Sequence, residues 1–301
     1  MNYLITGGTG LIGRALIEKL STQASSITVL TRDIKQAQKL TTATNVKFID
    51  SLTLEQIENK DTVINLAGEP IADKRWSNSQ KHKICNSRWL ITQQLVDFIK
   101  QATNPPSLFI SGSAVGMYGR QKNKRIDETF TNYHHEFTHD VCAKWEQIAK
   151  TAQSDKTRVA ILRTGIVLAP NGGALAKMLL PFKLGLGGKI SSGMQYMSWI
   201  HIDDMVDAII FINNNKQLNG VINLTAKAPV TNKVFTTELA KALNRPSLFT
   251  TPAPILKLIL GELADLIIYG QNVVPTKLIA NNFKFSYPTL ELALDNLINQ
   301  H

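Results

Sequence analysis

The sequence predicts an α/β protein built on a doubly wound parallel sheet. Three observations carry that prediction. The first is the opening run Thr6-Gly7-Gly8-Thr9-Gly10-Leu11-Ile12-Gly13, which follows an apolar strand end (Leu4, Ile5) and leads into Arg14-Ala15-Leu16-Ile17-Glu18-Lys19-Leu20, a helix with an apolar stripe. The second is an unbroken alternation of strand and helix patterns over the first two thirds of the chain. The third is that Ile27-Thr28-Val29-Leu30 is a continuous apolar run, as a strand covered on both faces of a parallel sheet must be.

The opening run also predicts a ligand. Gly7, Gly10 and Gly13 are spaced Gly-x-x-Gly-x-x-Gly. The first permits the tight turn, the second lets the backbone approach a pyrophosphate, and the third lets helix and strand pack closely. Unpaired amides at the helix N-terminus then hold the anion. Gly7, Thr9, Gly10, Leu11, Ile12 and Gly13 are therefore the first candidate dinucleotide contacts of a Rossmann-type fold.

Further along, the second strand ends in Thr31-Arg32-Asp33. Folds that prefer NAD place a carboxylate about twenty residues past the glycines to bind the ribose hydroxyls. Here Arg32 stands at the tip, and a guanidinium pairs with a 2′-phosphate, so the cofactor expected is NADP. A third strand, 46–50, ends in Asp50, a candidate contact at the adenine end. The fourth, 61–68, closes in Leu66-Ala67-Gly68, whose small side chains leave room beside a cofactor. The polar, basic stretch from Glu69 through Arg75-Trp76 to Ser87-Arg88 reads as a connection into a helix at 89–102, stopped by Asn104-Pro105-Pro106. A fifth strand, 108–110, runs into Ser111-Gly112-Ser113. A helix follows at about 140–152, then a sixth strand at 159–162, where Arg163 completes the candidate cofactor set. Beyond it come a helix at 174–184, a glycine-rich loop from Gly185 to Gly193 read as mobile, a helix at 205–212 and a strand at 221–224. The tail from Pro252 reads as mostly helical.

Composition sets bounds. The chain has 301 residues, 44% of them hydrophobic, enough for a large core in one or two domains. Cys85 and Cys142 give neither a disulfide framework nor a metal spacing, and with the first strand starting at residue 2 a cytoplasmic location is expected. No metal is expected. The formal charge of +10 raises nucleic acid as a partner, but the Lys and Arg residues are dispersed and no binding motif accompanies them. Residues 255–268 are very apolar, yet Lys257, Glu262 and Asp265 interrupt them well short of a membrane span.

These stretches together resemble the extended short-chain dehydrogenase/reductase superfamily, and more closely its atypical YfcH-like epimerase branch. The matching pieces are the glycine run, Asn65-Leu66-Ala67-Gly68, Arg75-Trp76, Ser87-Arg88 and Cys142-x-x-Trp145-Glu146. Others are Leu162-Arg163-Thr164-Gly165, Gly172-Gly173-Ala174-Leu175, Trp199-Ile200-His201-x-Asp203-Asp204, Asn223-Leu224-Thr225-Ala226, Arg245-Pro246, Gly261-Glu262 and Phe283-x-Phe285-x-Tyr287-Pro288. The resemblance implies a Rossmann-type domain over 1–225, a small C-terminal domain over 226–301, and a homodimer through the helices at 89–102 and 140–152.

One departure from that superfamily bears on chemistry. Its members use a Tyr-x-x-x-Lys pair one helical turn apart, in which the lysine lowers the phenol's pKa and the tyrosine passes a proton while hydride moves at the nicotinamide. Here Tyr118 alone has a lysine four residues on, Lys122, and the pair falls in a loop. The helix that should carry it reads Asp140-Val141-Cys142-Ala143-Lys144-Trp145. Ser113, Tyr118 and Cys142 are the candidate replacements: Ser113 to bind a substrate oxygen, Tyr118 to donate a proton, Cys142 to act as nucleophile if Lys144 depresses its pKa. Each has a plainer reading, as a turn hydroxyl, a ring packed under the loop and an inert buried thiol. His201 reads as a brace before an acid; His134, His135 and His139 read as surface loop and helix cap. The function expected is an NADP-dependent oxidoreductase or epimerase acting on a small polar substrate. The alternative is a catalytically silent NADP(H)-binding protein that reports redox state.

Overall fold

The computed structural model describes residues 1–299. Seven strands form one parallel sheet: β1 (Asn2–Thr6), β2 (Ser26–Leu30), β3 (Val46–Ile49), β4 (Thr62–Asn65), β5 (Leu108–Ala114), β6 (Arg158–Thr164) and β7 (Gly220–Leu224). They lie in the order β7-β6-β5-β4-β1-β2-β3, every pairing parallel. The chain steps outward from β1 to β3, crosses back, and steps outward again from β4. The order therefore reverses between β1 and β4, the place where such sheets open a crevice at the strands' carboxyl ends.

Both faces of the sheet are covered, as the apolar strands require. Tyr3, Ile5, Ile27, Val29, Ile64 and Ile110 face one way. They bury Leu16, Ile17 and Leu20 of helix α1 (Leu11–Ser21) with Met205, Ile209 and Ile212 of the helix at Ile202–Asn214. Leu4, Val63, Phe109 and Ile161 face the other way, onto Leu95, Val96 and Ile99 of α2 (Asn78–Gln101) and Ala149 of α3 (Phe137–Lys150). Alternate residues of one strand thus serve two cores.

Helix α2 begins eleven residues before the expected start. Ser77 caps it, its hydroxyl accepting from the Gln80 amide, and the first turns present polar residues that hid them from a search for an apolar stripe. Helix α3 starts at Phe137, three residues early, and Leu90 is the large apolar side chain that α2 leaves exposed. The loop from Gly185 to Gly193 also differs from its expectation. Gly188–Ile190 is a strand paired in parallel with Phe249–Thr251, and a Cβ on Gly188 would stand 2.0 Å from the Phe249 carbonyl oxygen. These glycines allow close backbone packing.

A third core, with Leu168, Trp199, Phe235, Leu239 and Leu294, joins the C-terminal helices at Asn232–Ala242 and Leu290–Asn299 to the sheet domain. Its polar anchor is Asp204, fully buried, which accepts from the Ser286 amide at 2.7 Å and the Tyr287 amide at 3.0 Å. Tyr287 then stacks on His201, ring centroids 3.7 Å apart. His201 also caps the Ile202–Asn214 helix by accepting from the Asp203 amide, so its role is the brace that was expected. Among the described residues no helix is long and apolar enough to cross a membrane.

Replacing Asp204 with alanine removes the shared acceptor of two part-buried amides, and should cost about 2–4 kcal/mol of unfolding free energy. Urea denaturation measures it; a loss below about 1 kcal/mol would show that the tail is held by apolar packing alone.

Candidate active site

The glycine turn has the geometry of an anion cradle. Gly7 sits at φ +71°, in the left-handed region that favours glycine, and a Cβ there would lie 2.5 Å from the Leu66 carbonyl carbon. On Gly13 a Cβ would meet the Gly7 oxygen at 2.3 Å. The turn is closed by the Gly10 amide donating to the Gly7 carbonyl at 3.0 Å. Gly10 is the N-cap of α1 and supplies no side-chain cap, so the first-turn amides of that helix are left for a ligand. The loops after β1 and β4 meet here, at the reversal of strand order. These features fit a dinucleotide's pyrophosphate.

Beneath the crevice runs a buried polar chain. Thr6 Oγ1 donates to Asn65 Oδ1 at 2.6 Å, Asn65 Nδ2 to Thr92 Oγ1 at 2.8 Å, and Thr92 Oγ1 to the Arg88 carbonyl at 2.6 Å. Arg88 in turn donates to the Glu69 carbonyl at 3.0 Å and fills the space over Gly68. The residues Leu66, Ala67 and Gly68 are thereby fixed against α2. At the far end Arg32 is exposed at the tip of β2, and Asp50 is exposed past β3. Asp33, the other acid at that tip, accepts from the Gln36 amide at 2.9 Å as a helix cap.

A second array stands at the carboxyl ends of β5 and β6. Ser113 donates from Oγ to Glu146 Oε1 at 2.8 Å. Arg163 donates to the same carboxylate twice, from Nε at 2.7 Å and from Nη2 at 2.9 Å. Both partners are almost fully buried, at 2% and 1% side-chain exposure, so this is a bidentate pair inside the protein. Burial alone would lower the Arg163 pKa, but the Glu146 carboxylate outweighs it and holds the guanidinium charged. Arg163, a candidate cofactor contact, gives Nε and Nη2 to Glu146 and leaves Nη1 without a hydrogen-bond partner, and its carbon centre lies 4.7 Å from the Tyr118 ring.

The replacement candidates separate. Tyr118 is fully buried and donates its hydroxyl to Asn223 Oδ1 at 2.7 Å, with the Asp127 carbonyl at 3.2 Å. Burial pushes its phenol up to about 12. The expected proton donor thus has its hydroxyl proton engaged by Asn223, and Tyr118 acts as a strut between the turn after β5 and β7. Cys142 is buried beside Ser113, and burial first, then the Glu146 charge, pushes its thiol up to about 11. That shift runs opposite to the one a nucleophile needs; a hydrogen bond with the Ala114 backbone and the Arg88 charge pull the thiol down by less than burial raises it.

Sequence reasoning missed Glu146. Cys142 and Glu146 stand four apart on α3, the spacing of the absent tyrosine and lysine. A signal was present, since Arg163 ends an apolar buried strand and a cation there needs a buried anion. His134 and His135 lie exposed in the loop before α3, as expected, but His139 does not fit its reading. His139 is buried inside α3, not at its cap, and its Nδ1 lies 2.7 Å from the Met117 carbonyl oxygen.

A cleft of about 210 Å³ is lined by Trp76, Arg120, Phe137, Thr138, Glu262 and Asp265. Arg120 ties its walls together, donating to Glu136 at 2.8 Å and to Asp265 at 3.1 Å. The C-terminal region thereby closes over the loops that follow β4 and β5.

Comparison with known proteins agrees with this geometry. The NAD dependent epimerase/dehydratase family matches residues 3–225, and a domain of unknown function matches residues 251–297. An epimerase family protein of Staphylococcus haemolyticus is 37% identical over 297 residues, 99% of each chain. A human epimerase family protein, crystallised with NADPH, superposes with a TM-score of 0.88 at 30% identity, covering 100% of both chains. The nucleoside-diphosphate sugar epimerase of Corynebacterium glutamicum superposes with a TM-score of 0.79 at 28% identity, covering all of this chain and 59% of its own length. With its family match spanning most of the sheet domain and its relatives aligned end to end, the chain belongs to the NAD-dependent epimerase/dehydratase family.

Proposed function

We propose that the chain is an NADP(H)-dependent oxidoreductase or epimerase acting on a small polar substrate. The observation that carries this reading is the buried array of Ser113, Cys142, Glu146 and Arg163 at the carboxyl ends of β5 and β6, on the side of β4 away from the reversal in strand order. The NADPH held by the human relative supports the choice of cofactor, as does the exposed guanidinium of Arg32 at the tip of β2.

The glycine turn and α1 hold the pyrophosphate, and Leu66 to Gly68 leave space beside it. A bound nicotinamide supplies or accepts the hydride. Cys142 takes the part of the missing tyrosine. With its thiol pushed up to about 11 it is protonated throughout the neutral range and can give its proton to a developing alkoxide. Ser113 has its own proton committed to Glu146, so its oxygen is free to accept, from the thiol or from a substrate hydroxyl. Glu146 and Arg163 hold the serine in place. The cleft beside Trp76 and Arg120 takes the substrate.

A second reading, a catalytically silent NADP(H)-binding regulator, rests on that same serine. A hydroxyl already donating to a carboxylate gives a substrate carbonyl no hydrogen bond until it lets go.

Two experiments test these statements. Arg32→Ala should weaken NADPH binding by about tenfold, the low end for a charge-assisted hydrogen bond because the side chain is exposed and screened, and should leave NADH nearly unchanged. Calorimetry with both cofactors decides; equal losses would show that Arg32 does not read the 2′-phosphate.

The chemistry is tested by screening aldehydes, ketones and nucleotide sugars for NADPH consumption. Once a substrate turns over, Cys142→Ala should lower kcat by roughly 10²-fold or more, and Tyr118→Phe by no more than a few fold. Because the donor must be protonated, the rate should stay flat from pH 6 to about 10 and fall as pH approaches 11. Full activity in Cys142→Ala would remove the thiol from the mechanism. Tight NADPH binding with no turnover of any substrate would favour the regulator.

A further inference from the structure

The segment Tyr133-His134-His135-Glu136-Phe137-Thr138-His139-Asp140 lies outside the array described above and brings three ligand-bearing side chains together. A ligand atom from each of His135, His139 and Asp140 lies within 4.8 Å of the others. The two imidazole rings meet edge to face, centroids 4.5 Å apart. We propose that His135, His139 and Asp140 form a binding site for a divalent transition-metal cation of the zinc type.

The argument starts at His139. It is 5% exposed, and its Nδ1 faces the Met117 carbonyl oxygen at 2.7 Å. A carbonyl only accepts, so Nδ1 carries the proton and Nε2 keeps its lone pair. That is the arrangement by which a backbone carbonyl fixes the tautomer and orientation of a metal-ligating histidine. Tyr133 steadies the ring from another side, at 5.4 Å between centroids. His139 is therefore a fixed ligand on a rigid helix.

The other two ligands are adjustable. His135 precedes α3 and Asp140 lies in its first turn, and both are exposed. Around a zinc ion at about 2.1 Å from each ligand, tetrahedral donor atoms stand about 3.4 Å apart. Closing from 4.8 Å to that spacing takes side-chain rotation at the two exposed residues and leaves the buried one where it is. Glu136, the nearest competing carboxylate in sequence, is already engaged by Arg120 at 2.8 Å and Thr138 Oγ1 at 3.1 Å. Two imidazoles and one carboxylate suit zinc over calcium or magnesium, which take oxygen ligands. Three protein ligands also leave a fourth position open, as in zinc sites that bind water or substrate.

The test is titration of the full-length chain with zinc chloride against a chromophoric chelator. The site should take one zinc per chain. His135→Ala and Asp140→Asn should each weaken binding at least tenfold, while His134→Ala, a neighbouring exposed histidine, should leave it within twofold. Since both test positions are exposed, their variants retain the fold. Absence of stoichiometric binding at micromolar zinc would overturn the proposal, as would unchanged affinity in His135→Ala and Asp140→Asn, or an equal loss in His134→Ala.

Discussion

Arg163 and Glu146 meet where water does not reach, one at the end of a central strand and the other on a helix packed across it. Two parallel hydrogen bonds fix the carboxylate's plane, and a third, from Ser113, completes one of its oxygens. A buried pair of this kind does not add much stability over apolar residues of the same shape, but removing one partner leaves an uncompensated charge and costs about 3–5 kcal/mol. Its value is positional. It sets the height of α3 over β5 and β6, and so decides which side of Cys142 faces Ser113. Gly112 serves the same fit: a Cβ there would stand 2.8 Å from the Trp145 ring, next to Glu146 on the helix.

Around that pair the molecule divides its labour along the reversal in strand order. On the β1 side, glycines without side chains and an uncapped helix leave backbone amides for a phosphate. On the β5 and β6 side, Ser113 and Arg163 converge on the Glu146 carboxylate, beside the Cys142 thiol. Tyr118 lies under Arg163 but spends its own hydroxyl elsewhere. Its phenol bonds to Asn223, and its ring packs with Phe130 and Tyr133, so it ties the turn after β5 to the last strand of the sheet. Where the superfamily's tyrosine and lysine spacing falls on α3, this chain has a thiol and a carboxylate, and Arg163 neutralises the carboxylate.

How much of this the sequence disclosed follows from where each signal resides. Strands covered on both faces are written as apolar runs, and all seven were legible. The glycine turn was legible because its steric demands are local. The opening turns of α2 were not, since they are held by a serine cap and by contacts with the loop after β4, which leave no apolar stripe to read. Tertiary partners were the least legible. Nothing near Tyr118 in sequence announces Asn223, more than a hundred residues away, and nothing near His139 announces the Met117 carbonyl. Arg163 was the exception that went unread: a cation at the end of an apolar strand already calls for an anion.

The central claim is that Ser113 and Cys142, held by Glu146 and Arg163, face the reacting end of the cofactor, and that Tyr118 does not. A crystal structure of the chain with NADPH measures this directly. The account predicts nicotinamide C4 on the side of Ser113 and Cys142, with the Glu146 carboxylate still bridged by Arg163 and the Tyr118 hydroxyl still on Asn223. A nicotinamide ring approached by the Tyr118 hydroxyl, with Ser113 and Cys142 behind other side chains, would contradict it.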